Sequence, residues 1–264
     1  MQCWLSVSFE AVKAWFVSDI HITGPEDVRL ARFEAFLRAR LGDGTTHVFL
    51  VGDIFDLWVG GDSFFSNRYA GVIAAVRDLR AKSIDVLYFE GNHDLHLAKI
   101  WSEQLGCRVF TEPRYFDLGS YRVRVEHGDQ MNPADTGYLI LRAALRTSVM
   151  EWLSDALPGR FVQKIGNGMS RSSRKWTSSS LKARNEAAIR EMIHSHAKRV
   201  YKSDEAFDFI FSGHVHVRDD FSWKPEEGAM VRSINLGWWT YDEPSQAYCL
   251  TDSGGQWLPV ETST

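Results

Sequence analysis

Five short clusters of carboxylate, imidazole and amide side chains carry the chemistry of this chain. They are Asp19-Ile20-His21, Gly52-Asp53-Ile54-Phe55-Asp56, Gly91-Asn92-His93-Asp94, His127-Gly128-Asp129 and Gly213-His214-Val215-His216. Oxygen and imidazole donors without thiolate suit Mn²⁺, Fe or Zn²⁺ better than a soft-metal site. Singly, each cluster has an ordinary explanation. Asp53 could cap a following helix, and a lone His127 is more often just a hydrogen-bonded histidine. Five of them in one chain, each following an apolar run, are poorly explained by coincidence. Divalent cations held there would polarise a phosphoryl oxygen and activate water.

Ligands of this kind need elements to aim them. The runs AWFVSD, HVFLVGD and DVLYFEGNHD each read as a buried strand ending in one of the clusters. Between them, Asp27 to Leu41 and Asn67 to Ala81 carry apolar residues at three-to-four spacing and read as helices. That order implies parallel βαβ units, whose ligands bind outside the carboxyl ends of the strands. If the first strand continues, Asp19 and His21 face the same way. YRVRVEHGD alternates like a strand with one wet face.

From Asp135 to about Tyr201 helical periodicity dominates. Tyr138, Leu141, Leu145, Val149 and Trp152 form one stripe, and Leu139, Ile140, Ala144, Met150 and Leu153 widen it beyond the ~100° a simple surface helix needs. The run MSRSSRKWTSSSLK in its middle reads as a loop or lid. Strands return in AFDFIFSGHVH, AMVRSINLGWW, QAYCLTD and QWLPVE. The expected fold is a layered α/β core at 1–134 and 202–264, interrupted by a helical insertion at 135–201.

As a set, D-x-H, G-D-x-x-D, G-N-H-D, H-G-D and G-H-x-H resembles the calcineurin-like metallophosphoesterase family, over Asp19 to His216. The resemblance implies a two-layered β sandwich flanked by helices and holding two divalent cations, Mn²⁺ first, with Fe or Zn²⁺ as alternatives. Asp19, His21, Asp53 and His216 would hold one; Asp53, Asn92, His127 and His214 would hold the other, bridged by Asp53. Cations ~3.5–4 Å apart would lower the pKa of a shared water, the nucleophile for in-line attack. His93 would sit over the leaving oxygen, oriented by Asp56 or Asp94. A narrower resemblance, through GDIFDLWVGGD, HGDQMNPADTGY, the helical insertion and GHVH, is to the UDP-2,3-diacylglucosamine diphosphatases of lipid A synthesis. It implies pyrophosphate hydrolysis, substrate contacts at Asp135 and Tyr138, and an insertion that holds acyl chains. That group typically carries Arg where this chain has His93, and the two are not equivalent.

Composition narrows the alternatives. With 44% hydrophobic and 24% charged residues the chain has a globular balance, not a disordered one. No uncharged apolar stretch reaches the ~18–20 residues of a membrane span, and the first residues lack the basic start of a secretory signal. Cys3, Cys107 and Cys249 are scattered, the pattern of reduced thiols. The expected location is cytoplasmic, with a peripheral place on the inner membrane.

The net charge of −4 conceals ten Lys/Arg against two acids between Arg160 and Arg199, a local +8. That segment reads as a solvated helical face or as a docking surface for phosphates and anionic lipid heads. Within it Arg171, Arg174 and Lys175 are candidate phosphate contacts. The expected partners are a phosphate-containing substrate, an acylated sugar nucleotide by the narrower resemblance, and the membrane surface. No aromatic-interleaved basic strand points to nucleic acid. Two other readings stand beside this one: a soluble phosphodiesterase or phosphatase of nucleotides and small phosphoesters, and a catalytically silent metal-binding interaction module.

Overall fold

The computed structural model describes residues 11–164, 186–242 and 244–260. The chain begins with β1 (Lys13–Val17), α1 (Val28–Ala39), β2 (His47–Val51), β3 (Trp58–Val59), α2 (Ser63–Arg68), α3 (Ala70–Ala81) and β4 (Asp85–Phe89). It continues through β5 (Asp94–Leu95), α4 (Ala98–Trp101), β6 (Arg108–Phe110), β7 (Arg114–Leu118) and β8 (Tyr121–Val125). Helices α5 (Thr136–Leu145), α6 (Ser148–Ala156) and α7 (Glu186–Ser203) follow. The last strands are β9 (Phe209–Ser212), β10 (Arg218–Trp223), β11 (Val231–Leu236), β12 (Gln246–Thr251) and β13 (Gly254–Pro259).

Two sheets form the centre, in the orders β13-β12-β1-β2-β4-β6 and β10-β11-β9-β8-β7. The pairs β1–β2, β2–β4 and β4–β6 are parallel, as the strand–helix alternation requires. Alternate residues of each strand point to opposite faces. Phe16, Phe49, Val51, Leu87 and Phe89 therefore meet Val123, Val125, Phe209, Phe211 and Ile234 between the sheets. Phe16 lies on Phe211 with ring centres 3.8 Å apart. The opposite face of the first sheet packs on the helices, where Trp15, Val48, Leu50 and Val86 meet Phe33, Phe36, Val76 and Leu79. The fold is α/β, with its mixed sheets flanked by helices.

The helix expected over 27–41 is α1, and Asp27 caps it by accepting from the Arg29 N–H at 2.9 Å. The one expected over 67–81 is divided at Tyr69, whose backbone leaves the helical region at φ −118°. A larger departure concerns β8. Its outward face is wet only at Arg122: Arg124 and, just past the strand, Glu126 are buried beneath α7. Glu126 pairs with Arg124 and with His196 of α7, and Arg124 also reaches Asp204 at 2.6 Å. Alternation in the strand predicts which residues are polar, but the partner lies some 70 positions away, a count given by the Glu126–His196 separation.

Helices α5 and α6 are amphipathic, yet α5 buries no residue and α6 buries only Ser154. Ile140, Val149 and Trp152 are 71%, 69% and 70% exposed. By contrast α7 buries Ile189, Ile193, His196 and Ala197. No described helix is long and apolar enough to cross a membrane.

Candidate metal centre

The strands stop two or three residues before the side chains that matter. β1 ends at Val17, so Asp19 and His21 lie beyond it, and their common direction has a different cause from a continuing strand. Both adopt positive φ, 50° and 51°, while Ile20 and Ile22 between and after them are fully buried. The segment is held by Asp19 N–H on the Gly52 carbonyl at 3.0 Å and His21 N–H on the Asp53 carbonyl at 2.9 Å. Asp53, His214 and His216 share the left-handed conformation. Seven described non-glycine residues have positive φ, and these five are among them. Asp and His tolerate that region better than most residues, but each still costs about 1 kcal/mol or more. Asp53 caps no helix; it sits in the loop after β2 with its N–H on Asp94.

Close approach of the loops explains a motif glycine. A methyl group on Gly91 would overlap the Asp53 carboxylate and crowd the Asp53 N–H, so no side chain fits there. The His93 N–H then reaches Asp53 Oδ1 at 2.9 Å.

The side chains form two donor clusters that share one carboxylate. In the first, His21 Nε2 faces His216 Nε2 at 3.0 Å, and Asp19 Oδ1 lies 3.4 Å from His216 and 3.8 Å from His21. In the second, Asn92 Oδ1 lies 3.1 Å from His214 Nδ1 and 3.4 Å from His127 Nε2. Asp53 Oδ2 stands between them, 3.8 Å from His21 Nε2 and 3.7 Å from His127 Nε2. His127 Nδ1 meets the Val51 carbonyl at 3.0 Å, which places its proton there and turns the lone pair of Nε2 to the centre. Asp19 Oδ2 accepts from Ser18 and from the His214 N–H, while Oδ1 is buried and accepts no hydrogen bond. An orphaned carboxylate oxygen beside two opposed imidazole nitrogens fits a cation better than a proton.

The electrostatics agree. Burial drives His21 down to about 3, against the pull of Asp53. Burial, with repulsion from His127, drives His214 down to about 4. Burial also opposes charge on His127, but Asp53, Asp19 and Asp129 outweigh it and raise the imidazole to about 9. Burial opposes the ionised form of Asp53, yet the surrounding histidines hold it well below the usual carboxylate range. His21 and His214 are thereby neutral imidazoles beside an ionised Asp53, the form a divalent cation takes as ligands, whereas His127 must give up a proton for a cation to bind it.

His93 stands beside this centre, its ring nitrogen within 4.8 Å of donor atoms of His21 and Asp53. Its Nδ1 meets the Asp56 backbone carbonyl at 2.9 Å, whereas the nearer Asp56 carboxylate oxygen is 3.9 Å away. Orientation therefore comes from the Asp56 main chain. Asp94 faces elsewhere: its carboxylate accepts from the N–H groups of Asp53, Ile54 and Gly91 and from the Tyr88 hydroxyl. Burial and the neighbouring Asp53 push it up to about 7. Desolvation opposes charge on His93, but Asp53 and Asp56 prevail and its pKa is raised.

The remaining expected residues are more peripheral. Asp135 is exposed and caps α5 through the Tyr138 N–H at 3.1 Å. The Tyr138 hydroxyl donates to Asp129 at 2.8 Å, and its ring lies 5.9 Å from that of His214. Arg171, Arg174 and Lys175 lie outside the described residues. Two arginines near the site belong to no motif in the sequence. Arg142 binds Asp129, Glu112 and the Thr111 carbonyl. Arg146 binds the Glu90 carboxylate and the carbonyls of Glu90 and Gly91. With Tyr138 they recur every four residues, one face of a helix, and that spacing was the available signal.

Sheets flanked by helices, with two His/Asp clusters sharing a carboxylate at their strand ends, define a protein with binuclear metal-site geometry. Residues 12–218 match the calcineurin-like phosphoesterase family, and the chain belongs to that family. It is also similar to proteins named UDP-2,3-diacylglucosamine hydrolase. One from Aeromonas hydrophila is 27% identical over 240 residues, covering 89% of this chain and 93% of that protein. One from an Enterobacter species is 26% identical over 230 residues, covering 85% and 90%. One from Pseudomonas entomophila is 25% identical over 254 residues, covering 94% and 98%.

Proposed function

We propose that this chain hydrolyses the pyrophosphate bond of UDP-2,3-diacylglucosamine or a related nucleotide-linked lipid, working from the cytoplasm at a membrane surface. The shared Asp53 carboxylate, 3.8 Å from His21 and 3.7 Å from His127, carries the two-metal hydrolase reading. The lipid substrate is supported by the names of the three relatives and by the outward apolar residues of α5 and α6, which offer surface for acyl chains.

Two divalent cations, Mn²⁺ by preference, would supply an activated water and neutralise charge gathering on the phosphoryl oxygens. Asp19, His21, Asp53 and His216 would hold one, and Asp53, Asn92, His127 and His214 the other. The Asp56 carbonyl fixes the proton on His93 Nδ1 and leaves Nε2 to meet the leaving oxygen. Protonated on both nitrogens, His93 would act as general acid or as a positive charge toward that oxygen. Asp94 holds the loops of Asp53 and Gly91 in register, a positioning role.

A second reading, a soluble phosphodiesterase or phosphatase, is favoured by His93 itself, which departs from the arginine of the lipid A group. Mn²⁺-dependent release of UMP from UDP-2,3-diacylglucosamine, beside deacylated UDP-glucosamine and bis-p-nitrophenyl phosphate, separates them. Selective turnover of the acylated substrate is expected. Turnover of the generic diester alone would discard the lipid.

A further inference from the structure

The two tryptophans after β11 have opposite fates. Gly237 turns the chain at φ 66°, a conformation open to glycine, and the Arg218 backbone leaves no space for a side chain there. The turn sends Trp239 inward: it is 2% exposed, lies edge-on to Phe33 and Phe36, and donates from its ring to the Gln246 carbonyl at 3.1 Å. Its backbone N–H meets the Asp19 carbonyl at 3.2 Å, which ties this turn to the metal centre. Trp238 goes outward and is 40% exposed. Its ring lies nearly parallel to that of His216, 12° between planes and 5.4 Å between centres.

His216 marks where the centre opens. Its side chain is 36% exposed, against 0% for Asp19, 2% for Asp53, 3% for His127 and 12% for His21. A substrate whose phosphate reaches the cations must project its remaining groups toward the open side, past His216. A large, rigid, half-exposed indole stands there. Among the described residues His216 is the one aromatic ring it touches. Core packing does not account for it, since the neighbouring Trp239 already fills that role.

We propose that Trp238 is a stacking platform for a planar ring attached to the substrate phosphate, the nucleobase of a nucleotide, and so a specificity-determining residue. The proposal rests on the hydrolase reading above and names the part of the substrate that its open side grips. Every nucleobase has a π-face, so stacking favours a nucleotide over an alkyl or sugar phosphate without choosing strongly between bases. Loss of such a platform weakens binding about 5–150-fold.

The test is binding of UMP and of methyl phosphate to the Mn²⁺-loaded full-length chain, by calorimetry, for the wild type, Trp238→Ala and Trp238→Phe. UMP should bind Trp238→Ala about 5-fold or more weakly, with methyl phosphate unchanged and most of the loss restored in Trp238→Phe. Equal weakening of both ligands would overturn the proposal and reduce Trp238 to a brace for His216, as would lack of effect on either. Turnover keeps the two readings apart. If UDP-2,3-diacylglucosamine is hydrolysed and Trp238→Ala leaves its KM unchanged, the platform fails alone. If that lipid is inert while UMP binding still depends on Trp238, the substrate reading fails and the platform stands.

Discussion

Asp94→Asn is the perturbation whose outcome the structure specifies most closely. The carboxylate is fully buried and accepts four hydrogen bonds: Asp53 N–H at 3.0 Å, Gly91 N–H at 2.7 Å, Ile54 N–H at 2.8 Å and Tyr88 hydroxyl at 2.6 Å. Asparagine keeps one acceptor oxygen. With that oxygen on the side of Asp53 and Gly91, the Tyr88 hydroxyl can rotate to accept from the new amide, but the Ile54 N–H faces a donor. One orphaned buried N–H costs about 1–3 kcal/mol, and the surviving bonds lose a charged acceptor, each weakening by about 1 kcal/mol. Burial already disfavours the charge, so its removal returns part of that sum. A net loss of about 2–4 kcal/mol is expected, read as a fall of about 1 M in the urea midpoint with the slope unchanged. Turnover of bis-p-nitrophenyl phosphate should fall with it, since the Asp53 loop loses its anchor. A variant as stable as wild type but slow in turnover would refute the reasoning and return Asp94 to the role of orienting His93.

Asp53→Ala removes the oxygen shared by both clusters and should nearly abolish metal-dependent turnover; near-normal activity would rule out the two-metal site. His93→Ala should lower kcat by about 10²–10⁴-fold while metal content, measured by mass spectrometry, stays near that of wild type; parallel loss of both would make His93 a ligand. Asp27 is buried against Arg29, and although burial opposes its charge, hydrogen bonds from Arg29 and Thr23 lower its pKa to about 2. Its contribution to stability is therefore complete above the ordinary carboxylate range and lost as pH falls through about 2, so Asp27→Asn should flatten acid unfolding in that window. An unchanged acid transition would show that the pair contributes nothing there.

The candidate ligands were legible because the chemistry demands a residue type at a strand end, and both features are local. α1 was legible for the same reason: its cap and its apolar spacing lie within one short segment. What escaped the sequence depends on distance or on main chain. No side-chain pattern announces that Asp56 would orient His93 through its carbonyl, or that Asp19 and His21 align through positive φ rather than through a strand. The burial of Arg124 and Glu126 depends on His196, and the anchoring of α5 depends on Glu90, both remote in sequence. Trp238 and Trp239 are identical letters, and only the turn at Gly237 separates a core residue from an exposed one.

Arg146 has a meaning for how this protein can be altered. At the end of α5 it holds the Glu90 carboxylate and the two carbonyls just ahead of Asn92 and His93. Helix α5 has no fully buried residue, so the core asks little of its sequence apart from the Tyr138 hydroxyl on Asp129 and cations at this point and at Arg142. The helical hairpin thus behaves as an exchangeable part with a defined fitting. A foreign hairpin that presents a guanidinium to Glu90 would leave the Asn92–His93 loop undisturbed, whatever surface it brings. One that lacks it would leave the buried Glu90 carboxylate its Leu97 N–H but no countercharge from the hairpin, two residues ahead of Asn92. The outward surface of the hairpin can then change while the loop beneath it keeps its shape.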